Sequence, residues 1–335
     1  MAGGFVAADG KTGHRQFKGK ITWYVWICGI IAATCGLMFG YDIGISGGVT
    51  AMDDFLVRFF PTVYARKHRA KENNYCKFDD QRLQLFTSSL YLAALVTSLG
   101  ASMACTRFGR KRTMQAASVF QQFTGINAIM FYAPVLFQTM GFESNASLLS
   151  AVVTGGVNVI STLVSIILVD KIGRRKLLLE ACVQMLIAQV TVGGIMWVQV
   201  KDNNNPSHSW ALAIVVLICV YVSSFAWSWG PMGWLIPSET FPLATRTAGF
   251  SCAVSANMFF TFVIAQAFLS MMCTMRAFIF FFFAICIVLM GLFVLTLLPE
   301  TKGVPIDEMV DRVWRRHWFW KRFFADADEA KINNC

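Results

Sequence analysis

The chain has 335 residues, 56% of them hydrophobic and only 14% charged, with a mean hydropathy of +0.54. A soluble domain carries roughly 25% charged residues, so a water-soluble fold is excluded and an all-α polytopic membrane protein is expected. The formal charge of +10 does not mark a nucleic-acid binder, because the cations sit in short connectors between apolar runs, the pattern that sets membrane topology.

In chain order, residues 1–21 are polar with scattered cations. They hold no short apolar core followed by a cleavage site, so no cleaved signal peptide is expected. Eight spans follow, at about 22–46, 83–105, 114–139, 147–169, 177–200, 210–236, 247–271 and 276–298. The last is the clearest: residues 277–298 contain no ionisable side chain except Cys286, and about 20 apolar residues cross a bilayer as a helix. Placing the N-terminus in the cytoplasm puts 20 Lys and Arg residues on inner segments and 9 on outer ones, as short-loop topology requires. The loop 47–82 opposes this with seven cations, including "ARKHRAK". At 36 residues it is expected to fold as a small outer cap. Of the ten cysteines, Cys76 and Cys273 alone face outside in this scheme, where disulfides persist. They either bridge the first outer loop to the last or stay as two thiols. No His or Cys spacing resembles a metal site, and the four histidines all lie outside the spans.

Two connectors repeat one motif, "RFGRKR" (107–112) and "DKIGRRK" (170–176), each following a pair of spans. Glycine permits the turn and the cations anchor it at the membrane face. Two copies imply two related halves. Four spans follow the second copy, whereas only "TMQAASVF" separates the first from a glutamine-rich run. By internal symmetry one half is about four spans short.

The motifs "FGYDIGISGGV" (39–49), "GRKRT" (109–113), "QQFTGINAIMFYAP" (121–134), "DKIGRRKLL" (170–178), "WGPMGWLIPSETFPLATRTAG" (229–249) and "LPETKGVPIDEM" (298–309) resemble the sugar porter family of the major facilitator superfamily. Within it they are most like the plant monosaccharide–proton symporters. The resemblance runs in two blocks, about 1–120 and 121–335, and implies that the third and seventh spans of a twelve-span fold are joined between Phe120 and Gln121. It therefore implies an incomplete major facilitator fold of about 8 helices instead of 12. Its parts would be a cytoplasmic tail (1–21), a remnant of the N-terminal bundle (22–120) with an outer lid (47–82), a C-terminal six-helix bundle with the sugar site (121–298) and a second cytoplasmic tail (299–335).

The residues themselves suggest where a ligand would sit. Gln121, Thr124, Asn127, Ala128 and Phe131 fall within an arc of about 120° on an ideal helix, with Gln122 just off it. Amides at that depth need a partner helix or a wet cavity. Sugar hydroxyls both donate and accept, as amides do. The resemblance extends the substrate set to Asn158, Trp234, Asn257 and Thr261, with Phe39 and Ile43 as apolar walls. Trp234 could stack on a pyranose or anchor at the interface, and Pro231 and Pro237 are expected to break the helix around it. Asp42 is a carboxylate well inside an apolar stretch. It is either a proton carrier with a pKa raised by desolvation or an outer-end carboxylate in water. The family pairs this aspartate with an arginine on the fourth span, which this chain lacks. Arg110, Arg174, Arg175, Glu239, Arg246 and Glu300 resemble the family's inner-face charge network. "WRRHWFWKRFF" (314–324) reads as a basic, aromatic tail on the cytoplasmic surface.

Two functions follow as expectations. One is proton-coupled transport of a glucose-like hexose across the plasma membrane by alternating access, with no cofactor beyond protons. The other is a non-transporting sugar-binding sensor, or a shortened form that associates with full-length relatives. An enzyme is not expected, because no carboxylate pair, serine–histidine pair or metal set faces a common cavity.

Overall fold

The structure is a computed structural model that describes residues 23, 47–68, 74–105, 126–139, 144–199, 208–240, 246–304 and 308–322. Two compact units divide the chain, Met1–Ile43 and Gly44–Cys335. The first contributes only Trp23 to the described residues, so the predicted span at 22–46 lies outside them apart from that residue.

The second unit is helical throughout its described residues. Its elements are α1 (Asp53–Phe59), α2 (Pro61–His68), a 3-10 turn (Asn74–Cys76), α3 (Gln81–Cys105), α4 (Ile126–Phe131), α5 (Ala133–Thr139), α6 (Ser144–Ile172), α7 (Arg174–Gln199), α8 (His208–Trp227), α9 (Trp229–Thr240), α10 (Arg246–Met275), α11 (Phe278–Leu297) and a π turn (Val310–Trp314). Five stretches of these described residues are long and apolar enough to cross a membrane: Val152–Ile172, Arg174–Gln199, Ser209–Glu239, Gly249–Met275 and Phe278–Leu297.

Two predicted spans are broken rather than continuous. The run predicted over 114–139 bends at Tyr132 between α4 and α5. Pro134 causes this, because it has no N–H for the helix ladder and its ring crowds the carbonyl four residues back. The run predicted over 210–236 breaks at Ser228. Pro231 then falls in the first turn of α9, where a missing N–H costs nothing. Pro237, expected to break this helix too, sits inside α9 instead.

Packing follows 3.6-residue stripes. On α7 the buried positions Leu177, Ala181, Met185, Ala188, Val192 and Met196 form one face. On α11 Phe280, Phe283, Ile287, Met290 and Val294 form another, and the two helices pack together. Gly193 permits the approach, since a Cβ there would lie 3.1 Å from the Phe280 Cβ. α8 packs on α6 and α7, and α3 lies along α10. The outward faces are apolar too: Ile166 on α6 is 68% exposed and Ile285 on α11 is 62% exposed. Such continuous apolar surface suits lipid and would aggregate in water.

Between α3 and α10 the seam is polar. Tyr132 Oη lies 2.7 Å from Thr87 Oγ1 on α3 and donates to the Ala265 carbonyl on α10 (3.1 Å), while its ring stacks on Phe268. Ser88 Oγ donates to Gln266 Oε1 (2.7 Å), and Gln84 Nε2 donates to Ser270 Oγ (3.1 Å). Each bond satisfies a group that hydrocarbon could not.

Candidate functional site

The polar residues named from the sequence that lie within the described residues sit on four helices. Asn127 is on α4, Asn158 on α6, Trp234 on α9, and Asn257 and Thr261 on α10. α4 packs on α10, and α9 packs on both α10 and α6. Asn158 Nδ2 reaches Met130 Sδ at 3.2 Å, one turn beyond Asn127. A thioether is a weak acceptor, and the Asn158 Oδ1 accepts only a long bond from Thr162 Oγ1 (3.4 Å), so part of the amide's bonding capacity stays unfilled. Asn257 is buried, and Thr261 Oγ1 donates to its carbonyl at 2.8 Å. That commits the hydroxyl proton to the helix and leaves only lone pairs for a ligand. Trp234 is 39% exposed and packs against Phe250 with ring centroids 6.1 Å apart. Phe39, Asp42, Ile43, Arg110, Gln121, Gln122 and Thr124 lie outside the described residues.

Sequence reading passed over several groups. Thr154, Ser161 and Ser165 are buried on α6 and share the Asn158 face at spacings of three and four. On α7, Gln184 Oε1 accepts from Ser224 Oγ (2.8 Å) and its Nε2 donates to Glu180. Gln189 is 2% exposed, and its Nε2 has no partner among the described residues. A wholly buried amide donor of this kind calls for a water or a ligand. The signal was present, for Gln184 and Gln189 are amides inside a predicted span, just as Gln121 is.

A groove of about 500 Å³ lies between α6 and α8, lined by Leu149, Val153, Val157, Leu212, Val216 and Val220 among others. It holds none of the named amides, and an apolar wall cannot match hydroxyls. This groove is therefore not where a sugar would bind.

At the end of the bundle that carries the 170–176 turn, charge replaces neutral polarity. The turn between α6 and α7 is a single residue, Gly173, with φ +100°. The Glu300 carboxylate accepts from the backbone N–H groups of Arg174 (3.0 Å), Arg175 (3.1 Å), Thr301 (3.1 Å) and Lys302 (3.1 Å). An anion thus sits on the positive end of the α7 dipole. The Arg174 guanidinium pairs with Glu239 at 2.9 Å, tying α7 to α9, and with Asp170 at 3.3 Å. Arg246 begins α10. Arg175 and two tail indoles close the end of α11. Arg175 Nη2 donates to the Leu295 carbonyl (2.6 Å), Trp318 Nε1 to Thr296 (3.0 Å) and Trp320 Nε1 to Leu297 (2.8 Å). Three of the four orphan carbonyls ending α11 are satisfied this way. The tail expected to lie on the membrane surface therefore docks its indoles on α11. Burial, with Arg175 nearby, pushes the His317 imidazole below its ordinary range.

At the opposite end Cys76 and Cys273 are joined by a disulfide across 197 residues, with Cα atoms 4.5 Å apart. The preceding segment is folded by local bonds. Lys67 pairs with Asp53 at 2.7 Å, Arg66 Nη1 donates to the Asp79 carbonyl (2.6 Å), and Asp80 Oδ1 caps α3 by accepting from Arg82 and Leu83. Burial pushes the Tyr75 phenol up to about 12, against the opposing pull of Arg276. Among the described residues no cluster of His, Cys, Asp and Glu could hold a metal.

A helical bundle with several helices long and apolar enough to cross a membrane, amides within those helices and a charge cluster at one end is the make-up of a multi-span membrane protein. The family model for sugar (and other) transporters matches residues 28–120 and 113–314, and the chain belongs to that family. It is a family of transporters rather than enzymes. The two matches overlap only at residues 113–120, beside the Phe120–Gln121 junction that the family resemblance implies. The chain is 43% identical to sugar transport protein 8 of Arabidopsis thaliana over 500 residues, covering 98% of each chain. It is 41% identical over 506 residues to sugar transport protein MST4 of Oryza sativa subsp. japonica, covering 99% of this chain and 98% of that one. A 335-residue chain spread along 500 aligned residues leaves about a third of the relative facing a gap. Among solved structures, a D-xylose-proton symporter is 30% identical with a TM-score of 0.52, over 58% of this chain and 44% of that one. The proton:xylose symporter XylE bound to 6-bromo-6-deoxy-D-glucose is 25% identical with a TM-score of 0.55, over 88% of this chain and 61% of that one. The chain thus spans less than two thirds of either symporter.

Proposed function

We propose that this chain binds a glucose-like monosaccharide in its 121–298 half, and that its architecture is built for proton-coupled uptake across the plasma membrane by alternating access. The observation that carries this reading is the Asn158 amide, whose Nδ2 meets a weak thioether acceptor, Met130 Sδ at 3.2 Å, and whose Oδ1 takes only a long bond from Thr162 Oγ1 at 3.4 Å. A neutral amide with unfilled capacity suits a neutral polyol. Gln121, Gln122, Asn127, Asn158 and Asn257 are the ligands in this proposal. Trp234 stacks on the sugar, Phe39 and Ile43 form its walls, and Thr261 accepts one hydroxyl. Asp42 carries the proton. The Arg174, Arg175, Glu239 and Glu300 cluster closes the inner end, with Arg110 and Arg246 completing it, and both termini are cytoplasmic.

The gap against the relatives favours a second reading, in which sugar is held but not moved. Rocking one bundle against another needs both, and about a third of the relatives' length has no counterpart here. Expressed in transporter-deficient cells, the chain is tested for acid-stimulated glucose uptake and, in membranes, for glucose binding. Uptake supports the symporter. Binding without uptake, weakened at least tenfold by Asn158→Ala, supports the holding reading; about 1.4 kcal/mol for one lost hydrogen bond is that factor. Retained sugar recognition after Gln121, Gln122 and Asn127 all become apolar refutes both.

A further inference from the structure

We propose that the tail over residues 314–322, docked on the end of α11, is a binding surface for acidic lipid headgroups. Hydrogen bonds set its depth in the membrane. Trp318 and Trp320 donate to the carbonyls of Thr296 and Leu297, and Leu297 is the last residue of the apolar span. The indoles therefore hold the tail at the level where hydrocarbon gives way to headgroups, the level that tryptophan prefers. Trp318 reaches α11 from its outward side. Leu292 and Leu295, beside Thr296, are 51% and 50% exposed, and Trp318 itself is 56% exposed. The tail thus borders the lipid rather than the interior of the bundle. Its rings hold it together as one piece: Phe319 meets both Trp318 and Trp320, and Trp314 meets Trp320.

The charge on this piece is unbalanced. Arg312 pairs with Glu308 at 2.6 Å and Arg315 with Asp311 at 3.2 Å, which occupies both acids found between residues 308 and 322. Arg316, Lys321 and Arg322 are exposed and enter no ion pair among the described residues. Arg175 adds a further cation on the Leu295 carbonyl, close enough to help displace the His317 imidazole downward. An exposed cation elsewhere on a protein simply faces water. These are fixed within a few residues of two indoles seated at the boundary, and cations beside aromatic anchors are what an acidic bilayer surface attracts. In the topology proposed above this end is cytoplasmic, the side on which acidic lipids concentrate.

The chain carries one competitor for these cations. Asp326, Asp328 and Glu329 follow the tail in sequence and lie outside the described residues. Headgroups are favoured over them because the indoles already place the cations in the headgroup plane.

The test places the full chain in nanodiscs of phosphatidylcholine, with or without phosphatidylserine, at pH 7.5, where His317 is neutral. Chymotrypsin is the probe, since it cuts after aromatic residues and is indifferent to Lys and Arg. Each Lys or Arg near an acidic surface is worth roughly fivefold, so phosphatidylserine should slow cleavage within residues 308–322 by about tenfold or more. High salt should remove the protection, and so should the combined Arg316→Gln, Lys321→Gln and Arg322→Gln variant with its Cys76–Cys273 bridge still formed. Free inorganic phosphate should not protect the tail in phosphatidylcholine alone. Cleavage between Phe55 and Tyr64, at the disulfide end, should be the same in both lipids. No protection by phosphatidylserine, as when the chain's own acids neutralise the cations, overturns the proposal. So does protection that survives the triple substitution, that free phosphate reproduces, or that extends equally to residues 55–64.

Discussion

The two ends of the helix bundle are held by different chemistry. At the disulfide end a covalent bond, Cys76 to Cys273, stands beside bonds between neutral groups, Ser88 to Gln266 and Gln84 to Ser270, with the Asp79 carboxylate accepting from both Gln84 and Ser270. At the basic-turn end a single carboxylate, Glu300, gathers four backbone donors, while Arg174 bridges to Glu239. A disulfide holds α10 to the 74–76 turn through any tilt of the helices. Charge-assisted bonds are strong when made, yet water can replace them when the groups separate. One end is therefore a permanent clamp and the other a releasable one.

Removing the clamp has the largest expected effect. Cys76→Ser should cost about 2–5 kcal/mol, the usual range for loss of a native disulfide. Thermal unfolding in detergent, with and without reductant, measures it; an unchanged midpoint under full reduction would remove the clamp from the comparison. Glu300→Ala comes next, at about 2–3 kcal/mol, because four donors and the α7 N-terminus lose one acceptor together. Hydrogen exchange should rise at Arg174, Arg175, Thr301 and Lys302 and stay flat near Cys76. Gly173→Ala is smaller, about 1–2 kcal/mol for an L-residue at φ +100°. Its Cβ would also stand 3.0 Å from Glu300 Oε2, so part of the loss should vanish when the alanine is added to a Glu300→Ala background.

Much of this was legible in the chain, and the remainder was hidden for identifiable reasons. Span positions follow from hydropathy, so the predicted 147–169 and 177–200 fall inside or within a residue of α6 and α7. Partner choice does not follow, because a helix that is apolar all round gives no direction; nothing in α3 announces α10. Proline was read by identity, whereas its effect depends on register. Pro134 bends a helix, while Pro237 rides inside one. The docking of the tail was not legible, because tryptophan commonly marks an interface. Only the three-dimensional end of α11 shows the open carbonyls that Trp318 and Trp320 fill. Glu300 was visible as a member of a charge set, but its place on the N-terminus of α7, 126 residues away in sequence, was not.

The smallest effect concerns pH, and it separates the two ends most sharply. His317 lies in the docked tail, with Arg175 nearby and its imidazole displaced below the ordinary value of 6.5 by burial and by that cation. Its Nδ1 accepts from the Phe319 N–H at 3.4 Å, which a protonated ring cannot do. In the undocked tail the imidazole recovers its ordinary value, so between the two values the undocked form binds more protons. Docking is then fully stable above about pH 6.5 and weakens as pH falls through 6.5 towards the docked value. Protease cleavage within residues 308–322 should accordingly rise between pH 7.5 and 5.5, and His317→Gln should flatten that rise. The Asn74–Cys76 turn, held by its disulfide and without a histidine, should show no such change over the same interval. Equal sensitivity at both ends would mean that protonation loosens the whole bundle and that the tail is not a separately releasable contact.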